Sequence, residues 1–234
     1  GGAAPTSSGS CAAWRPAVDE RTFWGFFLSQ RAEILRLSLQ HAGMVAAALG
    51  AATAAGLPLG VWLSRHPRWA APVLWTAAAV QTVPSIALLA ILLLAPVVGG
   101  IGARPAVTAL FLYSLLAILE GVHAGLRQVD PELSDAGRAM GMTEAQLLRL
   151  VELPLALPSV AAGLRVAAVT CVATATVASY VGAGGLGDLI FRGVGRANDA
   201  MVAWGAVPAI AMSLAAHAAL GALERRLARR ARQP

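Results

Sequence analysis

The chain has 234 residues, of which 57% are hydrophobic and only 13% are charged. A soluble domain is usually about a quarter charged, so the composition excludes an ordinary soluble protein and indicates one that is embedded in a membrane. All 18 basic residues are arginines and the net charge is +6; the sequence without lysine excludes a Gly-Lys phosphate-binding loop. Cys11 and Cys171 predict neither a disulfide framework nor a metal site.

The first part of the chain contains two segments of different character. Residues 1–22 are mostly small and polar and predict a disordered leader. Residues 23–40 combine aromatic and aliphatic side chains, such as Phe26 and Ile34, with charged ones such as Glu33. This pattern is typical of an amphipathic helix at a membrane interface, and its charges are too dense for a spanning helix.

Residues 41–223 contain five segments that are apolar enough to cross a bilayer, which takes about 20 residues of helix. They predict an all-α integral membrane protein with about five transmembrane helices. The second segment is long and contains Pro84, which predicts a kink or a split. The segments are residues 41–63, 71–98, 105–126, 153–181 and 200–223.

The arginines predict how the spans are oriented, because cytoplasmic loops carry an excess of positive charge. With five spans, three arginine-bearing stretches fall on one side: the loop after the first span, residues 127–152 and the basic tail 224–234. We therefore expect that side, with the C-terminus, to be cytoplasmic. The N-terminus and the glycine-rich loop after the fourth span are then expected outside.

Four residues of the second span, Gln81, Thr82, Pro84 and Ser85, interrupt its apolar sequence. Pro84 lacks a backbone N–H and leaves a carbonyl without its helical donor. Such groups are tolerated at membrane depth where they line a cavity or are buried in protein. We therefore predict that these four residues belong to a translocation path. The alternative is a packed kink, in which the two hydroxyls satisfy local backbone groups.

Residues 127–152 are polar and helix-prone, which is more than a connecting loop requires. Pro131 can open a helix with Asp130 as its cap, and Thr143 with Gln146 has the spacing of a capping box for a second helix. We therefore expect two short helices with a bend between them. The residues on one face of the first helix predict a docking surface for another protein. The alternative is an ordinary amphipathic loop. The residues of this face are Leu133, Ala136 and Met140.

The stretch 181–191 matches the G-x-G-x-x-G pattern of dinucleotide-binding turns. Such a turn needs a strand before it and a helix after it in a βαβ unit, whereas here spans lie on both sides. We therefore expect a tight turn at the outer end of the fourth span. It either shapes the gate or meets a substrate-delivery protein, or it is a structural turn. Its residues are Gly182, Gly184, Gly185, Gly187 and Asp188, the last of which could cap a short helix.

The register of residues 135–154 resembles the EAA motif of ABC importer permeases. In that family Glu-Ala-Ala is followed by a spaced glycine and then by aliphatic-x-Leu-Pro. Here Asp135 replaces the Glu, and Gly137 replaces the second Ala. The resemblance implies that a separate ATPase subunit docks on this segment. The residues predicted for ATPase coupling are Asp135, Ala136, Gly137, Met140, Gly141, Val151, Leu153 and Pro154.

Three stretches, residues 81–91, 141–165 and 181–191, look like the branch of that family that imports glycine betaine, carnitine and choline. The resemblance implies a MetI-like ABC permease fold, multi-pass in the cytoplasmic (inner) membrane. It also implies an ABC ATPase subunit that carries ATP and Mg, so that this chain holds no cofactor and is not itself an enzyme. Further implied partners are an extracytoplasmic substrate-binding protein and a second permease copy or paralogue, with no nucleic acid.

Two alternatives stay open. An ABC permease for another small solute, such as an amino acid, would share the coupling segment. An ATP-independent channel or carrier would need an ion site or an internal repeat, and the sequence shows neither. Aromatic residues are only 6% of the chain, which leaves little for the aromatic cages that favour quaternary ammonium ligands.

Overall fold

The computed structural model describes residues 23–96 and 98–231, so the predicted leader 1–22 lies outside the described part. The described residues are almost entirely helical and contain no strand, which confirms the predicted all-α class. The helices are α1 (Phe23–Arg65), α2 (Pro67–Thr82), α3 (Ser85–Leu94), α4 (Ala103–Arg127), α5 (Pro131–Ala139), α6 (Glu144–Leu147), α7 (Leu153–Ala178), α8 (Leu186–Gly195) and α9 (Asp199–Ala231). A π-helical turn at Leu148–Glu152 leads directly into α7, and a 3₁₀ turn at Ser179–Val181 follows it.

The first helix, α1, is 43 residues long and contains both the amphipathic segment and the first predicted span. At 1.5 Å per residue it measures about 65 Å, roughly twice the thickness of a bilayer core. Contrary to the expected division at residue 40, the buried stripe of Leu37, His41 and Met44 continues across that position. The sequence has no proline between Phe23 and Leu57, so no proline ends the helix there.

Part of the apolar surface of the amphipathic segment packs on protein. Phe26, Ile34 and Leu37 are buried against residues of α8 and α9. Phe27 stacks on Trp204 of α9, with ring centroids 4.4 Å apart. Other apolar side chains of the segment, Trp24 and Leu35 among them, are exposed, so the position of the segment at the membrane interface stays a prediction.

Helices α1, α4 and α7 form the centre of the bundle. α4 runs antiparallel to α7, and the two backbones approach where Gly121 lies against Gly163. A Cβ on Gly163 would lie 2.5 Å from the carbonyl oxygen of Ala117, so a larger residue does not fit at this crossing. Membrane helices commonly pack through small residues, because close backbone contact replaces the hydrophobic driving force. α1 packs parallel to α4, with Gly60 against Val122.

The predicted second span consists of two helices, α2 and α3, bent by 100° at Pro84. Before α2, Arg65 forms an ion pair with Glu152 just before α7. After α3, the Gly102 N–H donates to the Val181 carbonyl, 3.2 Å away and beyond the end of α7. Because α7 has 26 residues and is about 39 Å long, the α2–α3 pair crosses the bundle as a broken span. With α1, α4, α7 and α9, the described residues contain the five predicted crossings.

The last helix, α9, runs antiparallel to α7. Arg165 of α7 pairs with Glu224 near the end of α9 at 3.2 Å, whereas Gly205 near its start lies against Ile190 of α8. The C-terminal end of α9 therefore lies at the same end of the bundle as residues 127–152, which we call the segment end. The opposite end carries the turn after α7 and is called the loop end.

Candidate functional site

Both helical pieces expected in segment 127–152 begin at the expected caps, but the second, α6, is not a separate helix: after four residues it continues through the π-helical turn into α7. The Asp130 carboxylate accepts a hydrogen bond from the Glu132 N–H at 2.9 Å and starts α5. At α6 the Gln146 N–H donates to the Thr143 hydroxyl at 3.3 Å, and the Thr143 N–H donates to the Gln146 side-chain oxygen at 2.8 Å. This capping box satisfies two backbone donors that a helix start leaves free.

The bend between α5 and α6 depends on two glycines. Gly141 has φ +81°, in the left-handed region that other residues adopt only with strain. Gly137 is buried, and a Cβ there would lie 2.8 Å from the Leu147 side chain. Because Leu147 is fully buried, it has little room to move away. The departure of Gly137 from the family motif thus has a structural reason, since it lets the two short helices pack together.

Apolar side chains of the segment are exposed at the segment end of the bundle. Met140 is 76% exposed, Leu150 64% and Leu133 49%. Exposed apolar groups such as Leu133 and Met140, which the sequence places on one helical face, are typical of interaction surfaces. Of the residues predicted for ATPase coupling, Asp135, Ala136, Met140, Gly141 and Pro154 are exposed, Val151 and Leu153 are partly buried, and Gly137 is buried.

An ion pair that the sequence did not predict ties α1 to this segment. Arg65, the last residue of α1, pairs with Glu152 of the π-helical turn, which is only 8% exposed. The Ser134 hydroxyl of α5 donates to the same carboxylate at 3.4 Å. A carboxylate at the border of a span signals the need for a cation, because an unpaired buried charge is costly. The sequence could not identify Arg65 as that cation, since the two residues are 87 positions apart.

A second, exposed carboxylate extends this network. Glu144 pairs with Arg138 at 2.9 Å and with Arg65 at 3.3 Å, and Arg138 also pairs with Asp135 at 3.0 Å. The hydrogen bond between Arg138 and Glu144 lowers the pKa of Glu144 and raises the pKa of Arg138. Both groups are therefore ionised at neutral pH, and together they connect α5, α6 and the end of α1.

At the break in the second span, the carbonyl of Val80, which the missing Pro84 N–H would leave free, accepts from the Val83 N–H at 3.2 Å, and α4 binds a further carbonyl, that of Val83. The Tyr113 hydroxyl donates to the Val83 carbonyl. In return, the Gln81 side chain donates to the Tyr113 carbonyl at 2.8 Å. Sequence reasoning did not single out Tyr113, although a tyrosine within a span signals that its hydroxyl needs an acceptor at membrane depth.

The four residues predicted for the translocation path have unequal surroundings. Gln81, Thr82 and Pro84 are exposed on the isolated chain, and Ser85 is partly buried. The Thr82 hydroxyl donates to the Ala79 carbonyl of its own helix at 2.7 Å, which is the local satisfaction that a packed kink would require. A path between two subunits would require exposed residues on each chain, and three of the four are exposed. Their role in transport stays a prediction.

The glycine-rich stretch is a tight turn between the 3₁₀ turn and α8 at the loop end. Gly182, Gly184 and Gly185 have φ values of +77°, +76° and +82°, which explains these glycines by backbone conformation. The Gln40 side chain of α1 holds the turn. Its amide donates to the Ala183 carbonyl at 3.1 Å and accepts from the Gly185 N–H at 3.4 Å.

The last two residues predicted for the loop lie in α8. A Cβ on Gly187 would collide with the carbonyl oxygen of Thr176 in α7, so glycine permits this close packing. The expectation that Asp188 caps a helix was wrong, because α8 begins directly after Gly185 and Asp188 lies within its first turn. The Asp188 carboxylate instead pairs with Arg192 at 3.0 Å, one turn further along.

The structure separates segment 127–152 from the glycine-rich turn, and the helix after the break, rather than the four predicted path residues themselves, lies beside that turn. The segment lies at one end of the bundle and the glycine-rich turn at the other. α3, which follows the break, borders a cavity of about 470 Å³, and the turn borders the same cavity. Ile86 of α3 and Gly182 of the turn both line it.

The chain is similar to permeases of known transport systems. The carnitine transport permease protein OpuCD of Listeria monocytogenes is 45% identical over 172 residues, 73% of this chain and 76% of that protein. The osmoprotectant import permease protein OsmW of Salmonella typhimurium is 43% identical over 184 residues, 78% of this chain and 86% of that protein. The choline transport system permease protein OpuBB of Bacillus subtilis is 38% identical over 204 residues, 86% of this chain and 92% of that protein.

Two solved structures share the fold. A chain of the methionine ABC transporter MetNI, in an inward-facing conformation, superposes with a TM-score of 0.75 at 23% identity, covering 85% of this chain and 98% of that chain. A chain of an amino acid ABC transporter with histidines superposes with a TM-score of 0.63 at 21% identity, covering 86% and 98%. These likenesses confirm the predicted MetI-like fold. The family model for a binding-protein-dependent transport system inner membrane component matches residues 52–233, and the chain therefore belongs to this family of multi-pass ABC permeases.

Proposed function

We propose that this chain is the transmembrane permease subunit of an ATP-binding cassette importer for osmoprotectants such as glycine betaine, carnitine or choline. The observation that carries the proposal is its 38% to 45% identity, over most of its length, to permeases named for carnitine, choline and osmoprotectants. Two features of the structure support the proposal. The exposed segment offers a surface on which an ATPase subunit can dock, and the broken span has a polar interruption at membrane depth.

In this proposal the work is divided between chains. A separate ATPase subunit, with its ATP and Mg, docks on the exposed face of segment 127–152. The segment end and the C-terminus face the cytoplasm. An extracytoplasmic substrate-binding protein delivers the solute at the loop end, where the glycine-rich turn lies, and a second permease copy or paralogue completes the pore.

Movement of the segment reaches the spans through covalent and ionic connections. α6, the π-helical turn and α7 are continuous, so a displacement of α6 turns α7 directly. The pair between Arg65 and Glu152 makes the end of α1 follow the segment, and α2 begins at Pro67, just after Arg65. Closure of the ATPase pair thereby tilts three spans and switches the side to which the pore opens. The solute passes along the proposed path of Gln81, Thr82, Pro84 and Ser85.

The docking face is tested by Met140→Glu, which places a charge where an interface needs an apolar contact. We expect the association of the ATPase to weaken about tenfold or more, as for a residue that contributes strongly to binding. The control is Gln128→Glu, an exposed position at the same end that follows α4 and precedes the two short helices. Equal association of the ATPase with both variants contradicts the assignment of the face.

The function is tested by uptake of labelled glycine betaine, choline and carnitine. Cells without their own uptake systems express the chain with its cognate ATPase and binding protein, beside a matched ATPase-dead control. We expect ATPase-dependent uptake of at least one of the three solutes. If an assembled complex takes up none of them, the osmoprotectant assignment is withdrawn.

A second candidate is an importer of amino acids. It is favoured by one observation, that the solved structures with this fold belong to methionine and amino acid transporters. Their identity to this chain is 21% to 23%, about half that of the osmoprotectant permeases, so the likeness carries the fold and not the solute. The same uptake assay with labelled methionine and histidine separates the two candidates.

A further inference from the structure

A cavity of about 470 Å³ lies at the loop end, between α3 and the turn that follows α7. One wall is a stripe of α3 that consists of Ile86, Ala90 and Leu93. The other wall includes Tyr180 and Gly182 of the turn. The volume lies within the range of about 300–1,000 Å³ that is usual for pockets that bind small molecules.

The turn wall of this cavity is joined to the loop before α4. The Gly102 N–H, before α4, donates to the Val181 carbonyl at 3.2 Å. A Cβ on Gly182 would lie 2.6 Å from the Ile101 side chain, so glycine lets the turn touch the loop before α4. The cavity is therefore a built feature at the junction of α3, α4 and α7.

The chemistry of the lining is unusual for a small-molecule site. Within the described part of the chain, the lining has no charged side chain and one aromatic side chain, Tyr180. The Tyr180 ring is 68% exposed. It is supported by an edge contact with Phe191 of α8, with ring centroids 5.8 Å apart. The cavity thus offers an aromatic ring and aliphatic walls.

We propose that this cavity receives the quaternary ammonium group of the solute, and that the Tyr180 ring binds the cation. The proposal rests on the proposed function and adds a residue that contacts the solute. A quaternary ammonium carries methyl groups and no N–H, so it enters an aliphatic cavity without losing hydrogen bonds that it could have donated. Its positive charge is attracted to the face of an aromatic ring.

The same reasoning separates this solute class from the amino acids. A primary ammonium would need acceptors for its N–H groups, and a buried polar group without a partner is costly. The lining supplies aliphatic side chains on the α3 side and one phenol on the other. The cavity therefore selects for the methylated cation and leaves the polar remainder of the solute directed out of the cavity.

The test measures the affinity of choline for the ATPase–permease complex in nanodiscs, by NMR titration without the binding protein. Tyr180→Leu is expected to raise the dissociation constant roughly 2- to 30-fold, the range of a cation–π contact, whereas Tyr180→Phe retains most of the affinity. The matched control is Trp75→Leu, an exposed aromatic position on α2 that is not part of the lining, and it is expected to bind choline like the wild type. A neutral isostere, 3,3-dimethylbutan-1-ol, is expected to bind the wild type more weakly than choline.

A second series keeps the test valid if Tyr180→Leu does not assemble. Phenylalanine with one, two or three ring fluorines at position 180 keeps the shape of the ring and weakens its attraction for a cation stepwise. We expect the choline dissociation constant to rise with each fluorine. A flat series, equal binding of choline and the isostere, or equal affinity of Tyr180→Leu and Trp75→Leu overturns the proposal and leaves an apolar cavity suited to a lipid chain. Uptake of an osmoprotectant by the wild type together with such a result overturns only the cavity assignment, whereas absence of uptake overturns the proposed function.

Discussion

The ion pair between Arg65 and Glu152 makes the attachment of the coupling segment to α1 measurable. Glu152→Gln removes the charge and keeps the size of the side chain, and its amide oxygen can still accept from Ser134. Within the described residues, Arg65 then retains Glu144 as its acidic partner. The matched control is Glu144→Gln, which removes the other carboxylate that contacts Arg65 and leaves the buried pair intact.

The two carboxylates differ in burial, and this sets the expected magnitudes. The side chain of Glu152 is 11% exposed and that of Glu144 is 64% exposed. Removing one partner of a fully buried pair costs about 3–5 kcal/mol, whereas an exposed pair contributes about 0.2–1 kcal/mol. Because a third of the Arg65 side chain is exposed, we expect about 1–3 kcal/mol for Glu152→Gln and a smaller cost for Glu144→Gln, whose two ion pairs are exposed.

Amide hydrogen exchange of residues 131–152 in the assembled complex measures this difference directly, because it reports the free energy of local opening. A loss of 1–3 kcal/mol makes exchange roughly 5- to 150-fold faster. For Glu144→Gln the increase is smaller, because solvent screens its exposed pairs. Uptake is expected to slow in the same order, since a detached segment no longer moves α1.

Unchanged protection in Glu152→Gln, or equal exchange in the two variants, refutes the reasoning. Either result means that burial of the Arg65–Glu152 pair adds nothing to the attachment. The movement of α1 would then depend on apolar packing alone.

Three further predictions concern the break, the start of α8 and the exposed charges. Tyr113→Phe leaves the Val83 carbonyl without its donor, which costs about 1–3 kcal/mol. We expect both uptake and the thermal stability of the complex to fall. The control Thr108→Val loses only a hydroxyl bond within α4 and is expected to change neither. Gly187→Ala forces a Cβ into the backbone of α7, so assembled complex recovered from membranes decreases sharply, whereas Gly195→Ala meets no atom within 4 Å and assembles normally. The hydrogen bond from Arg138 lowers the pKa of Glu144 below its ordinary value of about 4.5. The stability that the ionised Glu144 contributes is therefore complete above pH 4.5, and it is lost as the pH falls below 4.5 towards the pKa of the folded state. Segment protection, corrected for intrinsic exchange, is therefore expected to be constant from pH 8 to about 5, and a loss between pH 7 and 6 contradicts this assignment.

The sequence predicted the parts of the fold that depend on local information. Five crossings follow from apolar stretches of spanning length, and the bent second span follows from Pro84. The caps at Asp130 and Thr143 depend on residues two or three positions away, so their chemistry is readable along the chain. The same holds for the glycine-rich turn, where the need for positive φ selects glycine.

Contacts between distant residues were not predictable, because neither composition nor periodicity identifies a partner. The Tyr113 hydroxyl reaches a carbonyl 30 positions away, and Gln40 holds a turn 143 positions away. The amphipathic segment shows the consequence. Its charges suggested a helix on the membrane interface, but Glu33 pairs with Arg192 of α8 at 2.7 Å. Glu33, which the sequence pattern placed on the polar face of the helix, therefore has a charged partner on another helix.

Two contacts lie along the chain between the segment end of the bundle and the cavity at the loop end. Arg65 binds the segment, and α2 starts two positions later, so the broken span begins at a point that moves with the segment. Tyr113 of α4 holds the break, and α3 beyond it forms one wall of the cavity that Tyr180 borders. The 100° bend between α2 and α3 lies at the Val83 carbonyl that Tyr113 binds, so the corner of the broken span is attached to α4 between the segment end and the cavity.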